Sequence, residues 1–452
     1  MKKFFVTGVA AAALCGVPAL AADVPVKVPV YKAIDPGFSW TGWYGGVNVG
    51  VGISQTHGNT PGTVGSVDRS GAGFAGGVQG GYNWQFDPRW VAGIEGDIGY
   101  LGVDRSFPDW ADVSNLFGVK TEWYGTIRGR LGYTNGPSLF YVTSGAAFVN
   151  VKNNNDGNVS GTQASKSETT TGWTVGGGIE TMLGGNWSAK AEYLYIDAGS
   201  QDVFNPNLTA TGLTMHFDNR FHVFRYGLNY KLGGPGMVVR VMPSYTWTGF
   251  YVGVNAGAGL SQDHADTNGV FLGLGAVDIA GSGFTGGVQG GYNWQFNPNW
   301  VAGIETDIGY LGIDRSRQNW NDSRAFGVKT DWYGTIRGRL GYSTGPALLY
   351  VTGGAAFVNV KNNFDEIAVT QASKSETATG WTVGGGIEAA LAQNWTAKTE
   401  YLYIDAGSQD VFNPVIGGGS TTHFNNRFHV FRFGLNYKFG DPWGKAPVVA
   451  KY

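Results

Sequence analysis

Glu95 and Asp97, with one residue between them, are the first residues whose types and spacing suggest chemistry. Two carboxylates held in one cleft can divide into a general acid and a general base, because each disfavours ionisation of the other. Arg128 and Arg130 repeat the same spacing further along the chain, and a nearby guanidinium keeps a carboxylate ionised and occupied. Structural ion pairing is therefore the expected role, and no catalytic residue is assigned. His216 and His222, repeated as His423 and His429, could ligate a metal or a haem iron, but isolated histidines more often serve as hydrogen-bonding residues. No metal and no cofactor is expected. Gly176-Gly177-Gly178 lacks the strand, turn and helix context of a nucleotide loop, and no Ser/His/Asp set suggests a hydrolase.

The elements that carry these residues have a period of two. In Lys120–Tyr133 one face takes Glu122, Thr126, Arg128 and Arg130, and the other Trp123, Ile127, Leu131 and Tyr133. Eight such segments lie near residues 42–54, 73–85, 90–102, 118–133, 137–151, 171–183, 187–197 and 220–232. Bulky aromatics such as Trp90, Trp123, Tyr193, Tyr195, Tyr226 and Tyr230 gather on one face, while the other is rich in glycine and charge. A soluble sandwich would turn its aromatics inward. Lipid outside and a narrow polar interior account for the opposite arrangement. The fold class is accordingly all-β, a transmembrane antiparallel up-and-down β-barrel. Tight turns at Phe86–Arg89, Thr134–Pro137 and Gly184–Asn186 should face the periplasm, and the long polar stretches 55–72, 103–117, 152–170 and 198–219 should be extracellular loops.

The whole pattern occurs twice, at an offset of about 208 residues. Gly76–Phe86 returns unchanged as Gly286–Phe296, and Trp123–Tyr133 as Trp332–Tyr342. Divergence is confined to stretches such as Thr56–Arg69 against His264–Asp278, which marks them as loops. The interior charges expected in the first copy are Glu95, Asp97, Glu122, Arg128, Arg130, Lys190, Glu192 and Arg225. Their counterparts are Glu305, Asp307, Asp331, Arg337, Arg339, Lys398, Glu400 and Arg432.

Composition fits a membrane barrel. Of 452 residues 75 are glycine, and only 14% are charged, against about 25% in an ordinary soluble domain. A net charge of −2 provides no basic field for nucleic acid, which is excluded as a partner. Met1-Lys2-Lys3, the apolar run Phe4–Leu14 and the small residues at Ala19–Ala22 read as a secretory signal peptide. Cys15, the single cysteine, falls inside it. No later run reaches the ~18 apolar residues of a membrane helix, so any crossing is made by strands.

Several motifs together resemble the outer-membrane immunogenic protein family of alpha-proteobacteria, porin-family small barrels within the OmpA-like superfamily. They are the openings Trp40–Tyr44 and Trp247–Tyr251, Gly-Gly-x-Gly-Gly-Tyr-Asn-Trp, Gly-x-Ile-Arg-Gly-Arg-Leu-Gly-Tyr and Glu-Tyr-Leu-Tyr-x-Asp. The resemblance covers both copies and implies an outer-membrane surface barrel concerned with envelope integrity and host contact, without catalysis. It also implies an assembly signal at Gly434, Tyr437 and Phe439, read by the barrel-assembly machinery. That pattern recurs internally at Gly227, Tyr230 and Leu232, and the second occurrence is followed by Gly440–Tyr452, both departures from the family habit.

The organisation read from the sequence is a signal peptide (1–22), a periplasmic leader (23–40), a first eight-strand unit (41–232), a linker (233–247), a second unit (248–439) and a tail (440–452). Two tandem eight-strand barrels would each be plugged by their own ion pairs and serve as structural, surface-interacting proteins. The alternative, one sixteen-strand barrel, would be a general diffusion porin for small hydrophilic solutes. Expected partners are outer-membrane lipid and lipopolysaccharide, with host surface molecules or peptidoglycan as candidates beyond them.

Overall fold

The computed structural model describes residues 39–59, 66–108, 116–156, 164–206, 212–233, 245–268, 276–318, 324–366, 370–414 and 419–442. The signal peptide, nearly all of the leader, the centre of the linker and the end of the tail lie outside the described residues.

Among the described residues every element is a strand, and every pairing is antiparallel. The first copy contains β1 (Gly42–Asn59), β2 (Ser66–Asp87), β3 (Trp90–Leu101), β4 (Asp104–Pro108), β5 (Leu116–Asn135), β6 (Ser138–Asp156), β7 (Ser165–Gly184), β8 (Trp187–Asn205) and β9 (Leu213–Leu232). Each strand pairs with the next, except that β3 and its short continuation β4 share β5 as partner. β9 returns to β1, from Trp43 opposite Leu232 to Asn59 opposite His216. The ring therefore closes on eight strands.

The second copy contains β10 (Gly249–Ser261), β11 (Asp263–Asn268), β12 (Ala276–Ile279), β13 (Ser282–Asn297), β14 (Trp300–Leu311), β15 (Asp314–Gln318), β16 (Arg324–Ser343), β17 (Ala347–Glu366), β18 (Thr370–Ala392), β19 (Trp395–Asn413) and β20 (Ser420–Lys438). Here β11, β12 and β15 are the outer ends of interrupted strands, and β20 closes onto β10. Eight strands again make a complete ring. Two separate rings form, and the fused sixteen-strand barrel does not. The reason lies in the register: once β9 is fully paired with β1, neither has a free edge to offer the second copy.

Closure satisfies the backbone, and the outer surface then meets lipid with apolar side chains. Val47, Val78, Ile94, Ile98, Ile127 and Val142 are exposed on the outer face of the first ring. Below them, at the short-turn end, Trp43 packs edge-on to Tyr82 at 5.1 Å, Trp90 to Tyr133 at 5.8 Å and Trp187 to Tyr230 at 5.0 Å. These rings form the aromatic belt expected at a headgroup boundary.

Strands of up to 22 residues in the first copy exceed the ~9–11 residues that cross a bilayer. Much of what the sequence suggested to be loop is thus strand: β1 runs to Asn59 and β2 begins at Ser66. Divergence between the copies marks hairpin ends rather than the end of pairing.

Candidate functional site

The lumen of the first ring is filled in layers. At the short-turn mouth Trp40 is buried against Val91, Leu139, Tyr141 and Met182, and its indole donates to the Thr134 hydroxyl at 3.0 Å. In the second ring Trp247 takes this place, donating to the Gly345 carbonyl at 2.9 Å. The sequence boundaries assigned Trp40 to the leader and Trp247 to the linker. Both instead reach back into the barrel and cap it.

Above Trp40 an amide relay crosses the lumen: Asn48 donates to Gln79 (3.1 Å), Gln79 to Asn229 (2.6 Å) and Asn229 to Glu180 (2.8 Å). A charged layer follows. The carboxylate of Glu95 accepts from Arg128, from Lys190 at 2.8 Å and from the Tyr44 hydroxyl at 2.7 Å. Asp97 accepts from Thr126 (2.7 Å), Arg128 (2.9 Å) and Arg225 (3.0 Å). Glu192 accepts from Arg128 (2.9 Å), Tyr141 (3.0 Å) and Arg225 (2.8 Å). Arg130 stacks over the Tyr141 ring at 4.3 Å and donates to Glu180 at 2.8 Å. Four acids (Glu95, Asp97, Glu180, Glu192) thus meet four bases (Arg128, Arg130, Lys190, Arg225), all buried.

The second ring repeats the layer almost atom for atom. Arg337 reaches Glu305, Asp307 at 2.7 Å and Glu400 at 3.1 Å. Lys398 donates to Glu305 at 2.8 Å, Arg339 to Glu388 at 2.8 Å, and Arg432 to Asp307 at 3.0 Å and Glu400 at 2.7 Å.

Fourteen of the sixteen residues expected inside are therefore placed together in these two layers, seven per ring. Glu122 and Asp331 are not among them; both are exposed, which corrects the expectation. The cause is a β-bulge between Thr121 and Tyr124, repeated between Thr330 and Tyr333. An extra residue in one strand breaks the alternation, so the face on which Glu122 was counted shifts at that point. Glu180 and Glu388, absent from the expected set, supply the missing carboxylates. Glu180 stands ten residues before Lys190 and pairs with it in register across β7 and β8, the same interior face. That is the signal that could have identified it.

The interior is not polar throughout. Beyond the charges, toward the long hairpins, Leu101, Val119, Val149, Val151, Leu194, Ile196, Phe221 and Val223 form a fully buried apolar cluster. Past it Asn153 donates to Gln201 at 2.8 Å and to Asn219 at 3.3 Å. The strand faces alternate as expected, and the balanced acids and bases occupy one level of the lumen, while Arg69 in the first ring and Asp263 in the second are buried nearer the long hairpins.

Among the described residues no cluster of three His, Cys, Asp or Glu side chains is arranged to hold a metal ion. His222 Nδ1 lies 2.8 Å from the Tyr193 hydroxyl and His429 Nδ1 2.8 Å from that of Tyr401, while His216 faces Asp202 and His423 faces Asp410. Tyr437 and Phe439, with Gly434, lie at the end of the last strand of the second ring, where Tyr437 pairs with Val252.

Known proteins resemble this chain in sequence. The model of the outer membrane protein beta-barrel domain matches residues 7–231 and again 235–439. The 31 kDa outer-membrane immunogenic protein of Brucella melitensis is 39% identical over 211 residues, covering 43% of this chain and 85% of its own. The 22 kDa outer membrane protein of Rhizobium leguminosarum is 39% identical over 170 residues, covering 38% and 69%. The 25 kDa outer-membrane immunogenic protein of B. melitensis is 33% identical over 207 residues, covering 46% and 85%. With two closed eight-strand rings, lipid-facing apolar belts and two successive matches to one domain, the chain belongs to the outer membrane protein beta-barrel family, is related to the outer-membrane immunogenic proteins of alpha-proteobacteria, and is an outer-membrane protein.

Proposed function

We propose that this protein is a non-conducting, non-catalytic pair of barrels that anchors in the outer membrane, contributes to envelope integrity and presents its long hairpins at the cell surface. The observation that carries this reading is the balanced layer of four acids and four bases spanning each lumen, with the Trp40 or Trp247 cap below and an apolar layer above. Opening such a lumen would mean breaking several buried ion pairs at once, at ~3–5 kcal/mol for each charge left without its partner. Its partners in this role are the surrounding lipid and lipopolysaccharide, with host molecules at the hairpin ends.

Planar-bilayer recording of the purified full chain tests the proposal. The expected outcome is a quiet membrane without stable open-channel steps, and liposomes that exclude uncharged sugars. Long-lived conductance steps, or sugar entry, would overturn it and restore the diffusion-pore reading.

A further inference from the structure

The two rings lie against each other along one side, and their ends match. At the hairpin end Arg105 of the first ring grips Asp278 of the second with both Nε and Nη2, at 3.0 Å each, and Asp278 also lies 2.8 Å from His264 of its own ring. The reverse contact is present too: Arg315 of the second ring grips Asp68 of the first at 2.8 and 2.7 Å, and Asp68 lies 2.6 Å from His57. Gln55 donates to the Gly281 carbonyl at 2.7 Å, and Gln262 returns a bond to that of Ser70 at 3.3 Å. Deeper in, Tyr193 packs on Phe431 at 4.9 Å and Phe224 on Tyr401 at 5.4 Å. Each of these contacts of copy one with copy two has its mirror, although the bond from the Asn135 amide to the Ala390 carbonyl at 3.1 Å stands alone among the described residues.

Outward-facing residues along this seam are buried, unlike their neighbours elsewhere on the ring. Ile53, Ile179, Ala189, Ala191 and Phe224 share one cluster with Leu260, Ile387, Ala389 and Phe431. Lipid tails are as apolar as these side chains, so burying them gains little from the hydrophobic effect. Close packing and paired polar groups must supply the attraction. The alanines let the strands approach, and at the hairpin end two buried carboxylates each receive a bidentate guanidinium. Reciprocal contact of this kind defines an isologous interface, one surface complementary to itself.

We infer that this side of the barrel is a self-complementary docking surface whose partner is a second barrel of the same kind, so the two rings stay joined without the chain that connects them. The paired barrels are then a dimer in all but covalent connectivity. The inference is independent of whether the lumens conduct.

The test uses the full chain, with a protease site placed within residues 234–244 and an affinity tag after the second ring. The protein is folded, cut, and passed over the tag resin in mild detergent. The first half should be retained with the second, both keeping the heat-modifiable gel mobility of folded barrels. A second chain carrying Arg105→Ala, Arg315→Ala, Phe224→Ala and Phe431→Ala should lose at least ten-fold of that retention after the same cut, with folded mobility intact. Should that variant fold poorly, the milder pair Arg105→Gln and Arg315→Gln should show a several-fold loss. Separation of the wild-type halves, or equal retention of wild type and folded variants, would overturn the inference.

Discussion

Arg128 donates to three carboxylates, Glu95, Asp97 and Glu192, and is fully buried among them. Removing it leaves four acids facing three bases, so Arg128→Met should destabilise the first barrel by ~3–5 kcal/mol. Arg128→Lys should recover little, because one ammonium lacks the planar fork that spans separate acceptors. Adding Glu192→Gln to Arg128→Met should restore part of the loss, since three acids then face three bases. Urea unfolding in lipid vesicles, followed by gel mobility, measures each step. Glu122→Gln is the contrasting case: an exposed side chain outside the layer should change stability by no more than ~0.5 kcal/mol. Seven interior charges of each ring were legible because strand alternation places every second residue on one face. Tyr44, Tyr124 and Tyr141 were not, because a tyrosine suits the lipid belt and the lumen equally well and only its hydroxyl partners decide.

At the scale of the strand, the bulge in β5 makes an unusual prediction about length. Thr121 and Tyr124 both face inward, with Glu122 and Trp123 exposed between them. Deleting Glu122 restores simple alternation and leaves Arg128 and Arg130 on the inner face, so the shortened protein should still reach folded gel mobility. Deleting Ile127 instead reverses the facing of everything on one side of the cut and drives guanidinium groups toward lipid or apolar residues toward the charge layer. That variant should fail to assemble. The eight strands and their turns were readable from period and turn residues, whereas the bulge was hidden, because one extra residue leaves composition and spacing almost unchanged. The strands' outward reach was missed for a related reason: polar hairpin ends above the bilayer lack the apolar alternation that reveals a half-buried strand.

For the molecule as a whole, each ring carries its own cap and its own neutral charge layer. Trp40→Ala should therefore weaken the first barrel by ~3–5 kcal/mol while leaving the unfolding of the second nearly unchanged, and Trp247→Ala the reverse. Two separable transitions by gel mobility after graded denaturation would show it; a single shared loss would argue against independent cores. The duplication was plain in the sequence, but the choice between one ring and two was not, because alternation is local and says nothing about which edges meet. Tyr193 and Tyr226, expected to meet lipid, face the neighbouring barrel for the same reason. The closed eight-strand ring has one more consequence. An even count brings the polypeptide out on the side by which it entered, with Gly42 and Leu232 at the same rim. Gene doubling could then append another complete cylinder through a short connector, with no segment needing to cross the bilayer to find its place, and a third repeat would face no topological obstacle either.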